Sequence, residues 1–327
     1  MRVLIWILFI IIFSCGPDRR IEPDIGECPS LSELTSLLDY DDMQFTNGQG
    51  FILSADSGIF SASFNPLNND EIIALYKGYR TQYLTSIVLY NLQTNTLSLI
   101  LSADELFSTP KISSLNWLMF NYQGMQLWKI KSNGDSLIQL TNDGINTDFA
   151  WSPDGNEFIY KKHLDSDYLT LISDINGNTL NSILTGYRIR IPSWSPNGKY
   201  IVCGNLYGYQ TAIDIIDVES WSINTIRPEI NNPLERVLSI NFLSDSENIL
   251  WATNTELRRT NIYTHITESI FSTCDSKSIN QISTSYDNQR ILVEQTVYTY
   301  YDSKRLLASP KVILLDNHGN ILQEILF

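Results

Sequence analysis

Two stretches of this 327-residue chain nearly coincide: "WSPDGNEFIY" at 151–160 and "WSPNGKYIVC" at 194–203. A chain that writes one ten-residue segment twice, 43 residues apart, is built from repeats. The aromatic or aliphatic residue that opens the segment has relatives at Phe64, Ile112, Phe242 and Ile282. The six openings are separated by 48, 39, 43, 48 and 40 residues. Periods in this range mark propellers and other arrays, whereas a β-helix needs shorter coils and a sandwich does not repeat at this spacing.

Each unit reads as four short strands. In the third they are "TDFAW", "EFIYKK", "LTLISDI" and "TLNSILT". The first connection, "SPDG", is turn chemistry, with Pro153 presetting φ and Gly155 at the fourth position; Pro196 and Gly198 do the same in the fourth unit. The third connection is "SNGD" at 132–135, "INGN" at 175–178 and "NHGN" at 317–320, each a hairpin signal between alternating apolar runs. Units one, four and five write "QTNT", "VESW" and "THIT" instead. No segment after residue 45 has a helical period. The expectation is an all-β, six-bladed β-propeller with four antiparallel strands per blade. In it Trp151 and Trp194 wedge between neighbouring blades, and Pro153, Gly155, Pro196 and Gly198 shape turns rather than a functional site.

At these residues the chain resembles a known family. "QLTNDGINTDFAWSPDGNEFIY" (139–160) is similar to the PD40, or WD40-like, repeat of TolB-type six-bladed propellers. Two repeats match that pattern strongly and four weakly, over about residues 58–327. The resemblance implies an extracytoplasmic propeller, most often a protein- or glycan-binding module.

The N-terminus supplies an address. Arg2 precedes an apolar run from Val3 to Phe13, too short to cross a bilayer as a helix but suited to a signal peptide. Ile12-Phe13-Ser14-Cys15 resembles the lipobox of bacterial lipoproteins, with Ile and Ser fitting and Phe departing from the usual small residue. The resemblance implies that Cys15 becomes a lipidated N-terminus, held in the membrane by acyl chains. Gly16 follows it rather than Asp, so no inner-membrane retention signal is implied and an outer-membrane location is expected. The organisation expected is a signal peptide over 1–14, a lipidated tether over 15–57 and the propeller over 58–327. Within the tether, "SLSE" at 30–33 has the form of a capping box, and "GFILSA" at 50–55 that of an extra edge strand closing the ring.

With Cys15 lipidated, an odd number of cysteines remains, so they cannot all pair. Cys203, in the apolar run "KYIVCG", reads as a buried free thiol. Cys28 and Cys274 both lie in turn-rich sequence, and a bridge from the N-terminal arm to the ring is one reading and two free thiols the other.

The formal net charge of −14 disfavours nucleic acid, which needs a concentrated basic footprint. In an antiparallel blade the first and third turns lie on one rim; the second turn and the connections between blades lie on the other. His163 reads as a second-turn residue and His265 and His318 as third-turn residues, so the histidines do not converge on a metal. Some TolB-like relatives are lyases with clustered metal-binding histidines, and this chain lacks that cluster. There is no Gly-x-Ser-x-Gly elbow, and the chain ends on the last strand of the sixth unit without a hydrolase domain. Asp165 and Asp167 lack the rest of a calcium loop. No catalytic residue and no cofactor is expected.

The charges that invite a function precede the first strand of successive units: Lys111, Asp148, Arg188, Arg190 and Arg236. Basic residues at one mouth of an acidic protein focus a field on an anionic partner. Tyr187, Tyr207 and Tyr209 add aromatic contact area nearby. The function expected is a non-enzymatic, membrane-anchored scaffold that binds an envelope protein through this rim. The alternative is a glycan-binding or glycan-cleaving propeller that recognises acidic oligosaccharides.

Overall fold

The structure, a computed structural model, describes residues 29–36, 52–54, 58–77, 85–104, 110–165, 167–185, 190–207, 210–229, 235–302 and 305–325. The segment expected to be a signal peptide, the expected lipidation site Cys15, and Cys28 lie outside these residues. Six antiparallel sheets follow one another along the chain. Blade one comprises strands Gly58–Asn65, Asn68–Lys77, Thr85–Asn91 and Thr96–Ala103. Blade two comprises Lys111–Ile112, Trp117–Tyr122, Gln126–Lys131 and Ile138–Gln139. Blade three comprises Ile145–Trp151, Glu157–Leu164, Asp167–Asp174 and Thr179–Thr185, and blade four Arg190–Trp194, Tyr200–Tyr207, Gln210–Asp217 and Ile223–Ile226. Blade five comprises Ser239–Phe242, Asn248–Ala252, Glu256–Asn261 and Thr267–Ser272, and blade six Lys277–Thr284, Arg290–Asp302, Arg305–Asp316 and Ile321–Ile325. The fold is a six-bladed β-propeller, with the first strand of each blade innermost.

The core lies in the seams between blades. Each of six buried apolar clusters joins two neighbours: one with two, two with three, and so on round to six with one. Strand side chains alternate between faces. A second strand must therefore be apolar at every position to serve both seams. In blade five, Ile249 and Trp251 face blade four while Leu250 and Ala252 face blade six. This is why "ILWA", "IIAL" and "FIY" read as continuous apolar runs. Trp151 packs between blades two and three and Trp194 between three and four, as wedges.

Hydrogen bonds between innermost strands stitch every seam. Ser63 Oγ donates to Pro110 O at 2.8 Å, Trp151 Nε1 to Lys111 O at 3.0 Å, and Ile191 N to Asp148 Oδ1 at 3.0 Å. Three serines accept from the next blade: Ser193 from Phe242 N, Ser239 from Ile282 N and Ser283 from Phe64 N, at 3.0, 3.1 and 2.9 Å. At the seam between blades six and one, Gln281 Nε2 also donates to Ala62 O, and Ala62 N to the buried Glu294.

The turns explain the repeated segment. The serines of "SPDG" and "SPNG" accept an N–H five residues on, from Glu157 and Tyr200, and donate to Asp154 and Asn197 two residues on. Ser285 repeats this lock with Arg290 and Asp287 in blade six. The counterpart of Trp151 there is thus Thr284, two residues beyond the Ile282 expected from the sequence. The error kept the parity of the strand, so Ile282 still joins a seam cluster.

The glycine turns between third and fourth strands have a reason of their own. A Cβ on Gly177 or Gly319 would run into the carbonyl of Leu140 or Ile270, on the preceding blade, and both glycines have positive φ. Lys129 and Arg259, one blade back, donate to carbonyls of the same turns, Ile175 O at 2.6 Å and Asn317 O at 2.7 Å. In blades one, four and five, Asn95, Trp221 and His265 take the positive-φ place.

The N-terminal arm docks on blade six. Ser30 and Glu33 form the reciprocal capping box of a short helix, Leu31–Ser36, with Ser30 Oγ accepting from Glu33 N and Glu33 accepting from Ser30 N. Leu34 is 2% exposed. Ile52–Ser54 pairs in parallel with Leu306–Ala308, making blade six five-stranded. The ring therefore closes through its own sixth blade, and the N-terminal strand is added outside that closure. Cys203 is a free, buried thiol, pushed up to about 12 chiefly by burial. Cys274 is disulfide-bonded.

Candidate functional site

The first strands of all six blades enclose a central cavity of about 360 Å³. Its wall combines Phe149, Trp151, Ile191, Pro192 and Trp194 with the stitching serines, and two charged side chains reach it, Lys111 and Asp148. Local backbone irregularity places Asp148. The register slips between Thr147 and Ala150 in blade three and between Arg190 and Ser193 in blade four. Asp148 and Ile191, each three residues before the wedge tryptophan, adopt φ of 49° and 47°. Such a bulge re-aims a side chain away from the strand's alternation. It turns Asp148 toward blade four, where its Oδ1 accepts the Ile191 N–H, while Oδ2 holds Lys161 in an ion pair and accepts from Thr147.

Lys111 begins the inner strand of blade two, and its carbonyl is fixed by the Trp151 indole. Its ammonium donates to Pro192 O at 3.5 Å and stands 5.9 Å from the Phe149 ring. Burial lowers the Lys111 ammonium to about 8, with the Asp148 charge pulling the other way.

The residues expected to form a basic mouth divide. Lys111 and Asp148 meet in the cavity, Arg190 is half-buried at the first position of its strand, and Arg236 is exposed ahead of the inner strand of blade five. Arg188, Tyr187 and Tyr209 lie outside the described residues. Two partners were missed. Lys161 stands opposite Thr147 across the hairpin, so the strand register would have found it. Glu294, whose partners Ser61 and Ala62 lie at the far end of the sequence, gave no local signal.

The histidines are apart. His163 belongs to the second strand of blade three, not to the loop expected for it, and stacks on Tyr168 with ring centroids 4.3 Å apart. His265 and His318 are exposed turn residues. Among the described residues no group of three His, Cys, Asp or Glu side chains is placed to hold a metal ion.

A family model described as eukaryotic translation initiation factor eIF2A matches residues 113–266, less than half of the chain. No curated protein matches the sequence. Among solved structures, a protein assigned as TolB from Agrobacterium tumefaciens is similar with a TM-score of 0.63 at 18% identity, over 74% of this chain and 88% of that one. TolB from Acinetobacter baumannii is similar with a TM-score of 0.60 at 14% identity, over 77% of this chain and 62% of its own. A chain of a nidogen/laminin complex follows with a TM-score of 0.52 at 8% identity, over 78% and 85%. At these identities the likeness is one of fold: a TolB-like six-bladed propeller.

Proposed function

We propose that this chain is a lipid-anchored, extracytoplasmic, non-enzymatic propeller that binds an envelope protein through the rim where inter-blade connections enter the ring. The observation that carries this reading is the position of the basic residues. Lys111 and Arg190 begin inner strands and exposed Arg236 precedes another, so all three lie on the entry side of the ring in a protein of net charge −14. The TolB-like fold supports a binding module, since such rings present loops around a shared mouth. The lipobox at Cys15 supports the anchor, with the organisation 1–14, 15–57 and 58–327. Asp148, the carboxylate in the cavity, is engaged by Lys161 and a backbone N–H, which favours binding over acid–base work there.

The test is crosslinking in intact cells followed by purification in detergent, comparing wild type with an Arg190→Glu, Arg236→Glu double variant. A stoichiometric envelope protein captured by wild type and lost in the variant is expected. Capture that survives the variant moves the interface to another face. No captured protein, together with a melting point raised by acidic oligosaccharides, replaces this reading with a glycan-binding one. Cys15→Ser is expected to release the protein from the membrane fraction.

A further inference from the structure

Lys111 brings a positive charge to the central cavity that the fold holds by one long hydrogen bond. Asp148 is fully committed, to Lys161, to Thr147 and to the Ile191 N–H. Lys111 is not. An ammonium carries three donors, and here one of them makes a hydrogen bond at 3.5 Å to Pro192 O while the ammonium stands 5.9 Å from the centre of the Phe149 ring. Asp148 gives its ion pair to Lys161, which does not line the cavity, so Lys111 makes no ion pair among the described residues. A charge kept against Phe149, Pro192 and Trp194 is costly. A methionine or leucine would pack the same wall without that cost. The strain next to it points the same way. Ile191, β-branched and lining the cavity, is held at positive φ, an arrangement that persists only when its surroundings enforce it.

We propose that the cavity is a carboxylate site, in which Lys111 Nζ receives one carboxylate of an organic acid whose apolar body lies against Phe149, Trp151 and Trp194. A volume of about 360 Å³ suits a small ligand or the tip of an acidic side chain. The acid is either a free small molecule or a carboxylate of the binding partner. In the second case the proposal deepens the partner-binding reading and rests on it.

Trp151 and Trp194 line the cavity, so their fluorescence reports its occupancy directly. The full-length protein is titrated with phenylacetate and with its neutral isostere phenylacetamide, and calorimetry repeats the measurement. Saturable binding of the acid is expected, weaker by about tenfold or more for the amide, because only the acid adds an ion pair to the hydrogen bond from the Lys111 ammonium. Lys111→Met is expected to lose the acid by a similar factor, and Lys111→Arg to keep it. Equal binding of acid and amide, retention by Lys111→Met, or no saturable signal for either compound overturns the proposal; the acid–amide comparison needs no variant to fold.

Adding phenylacetate to the crosslinked-partner assay separates the sources. Displacement assigns the carboxylate to the partner, and binding without displacement assigns it to a free acid. Partner capture with no acid binding removes the carboxylate site and leaves the partner reading standing; acid binding with no captured partner does the reverse.

Discussion

Glu294 lies on the second strand of blade six, 8% exposed, with its carboxylate receiving N–H groups of Ser61 and Ala62 from blade one and the Asn280 side chain. Burial raises it from 4.5 to about 7, against those hydrogen bonds. Between these values the folded state holds a proton that the unfolded chain has released, so stability falls as pH rises, by roughly 3 kcal/mol across the window. Melting temperature is expected to drop between about pH 4.5 and about pH 7, and Glu294→Gln to flatten that drop. Lys111 acts in another window. Its depression from 10.5 to about 8 means that the unfolded chain keeps the proton longer, so stability rises with pH between those values, and Lys111→Met should remove the rise. Of these two seam residues the sequence marked only Lys111, because it stands just before the opening of a repeat. A glutamate inside an apolar run carries no sign of a partner more than two hundred residues away.

The turn glycines and the seam serines are where single elements hold their neighbours. Gly319→Ala adds a Cβ that meets the Ile270 carbonyl on blade five and strains a positive φ, so a loss of about 2 kcal/mol or more in chemical denaturation is expected. Ser283→Ala removes the acceptor for the Phe64 N–H and is expected to cost about 1 kcal/mol, since that donor is left buried and unpaired. The four-strand unit was legible because turn chemistry and alternation are local. The opening of blade six was misplaced by two residues because Ile282 and Thr284 share a face, and the apolar residue drew the alignment. The docking of these glycine turns on the preceding blade was not legible at all, since a glycine needed for φ and one needed for close approach look alike in a sequence.

Among the described residues the core is divided into six seam clusters, joined by an arm on blade six. Cys274 is disulfide-bonded and Cys203 is free, which supports the proposal that the bridge runs to Cys28 and pins the arm to the ring. On that proposal, Cys28→Ser is expected to cost about 2–4 kcal/mol, with the same loss on adding reductant to wild type and no further loss on combining the two. The strand Arg305–Asp316 carries one more consequence. Both the N-terminal strand, at Leu306–Ala308, and the C-terminal strand, at Val312–Leu315, lie along its one free edge. A pull between the two ends of the described chain would run along this strand and shear two short pairings, the second of which carries Ile325 of the seam between blades six and one. A pull from a membrane anchor against cargo held at the mouth would instead pass from blade six through the whole circle. Stretched end to end the ring would thus be loaded at one seam alone, whereas on the proposed anchor and mouth it would carry tension through all six.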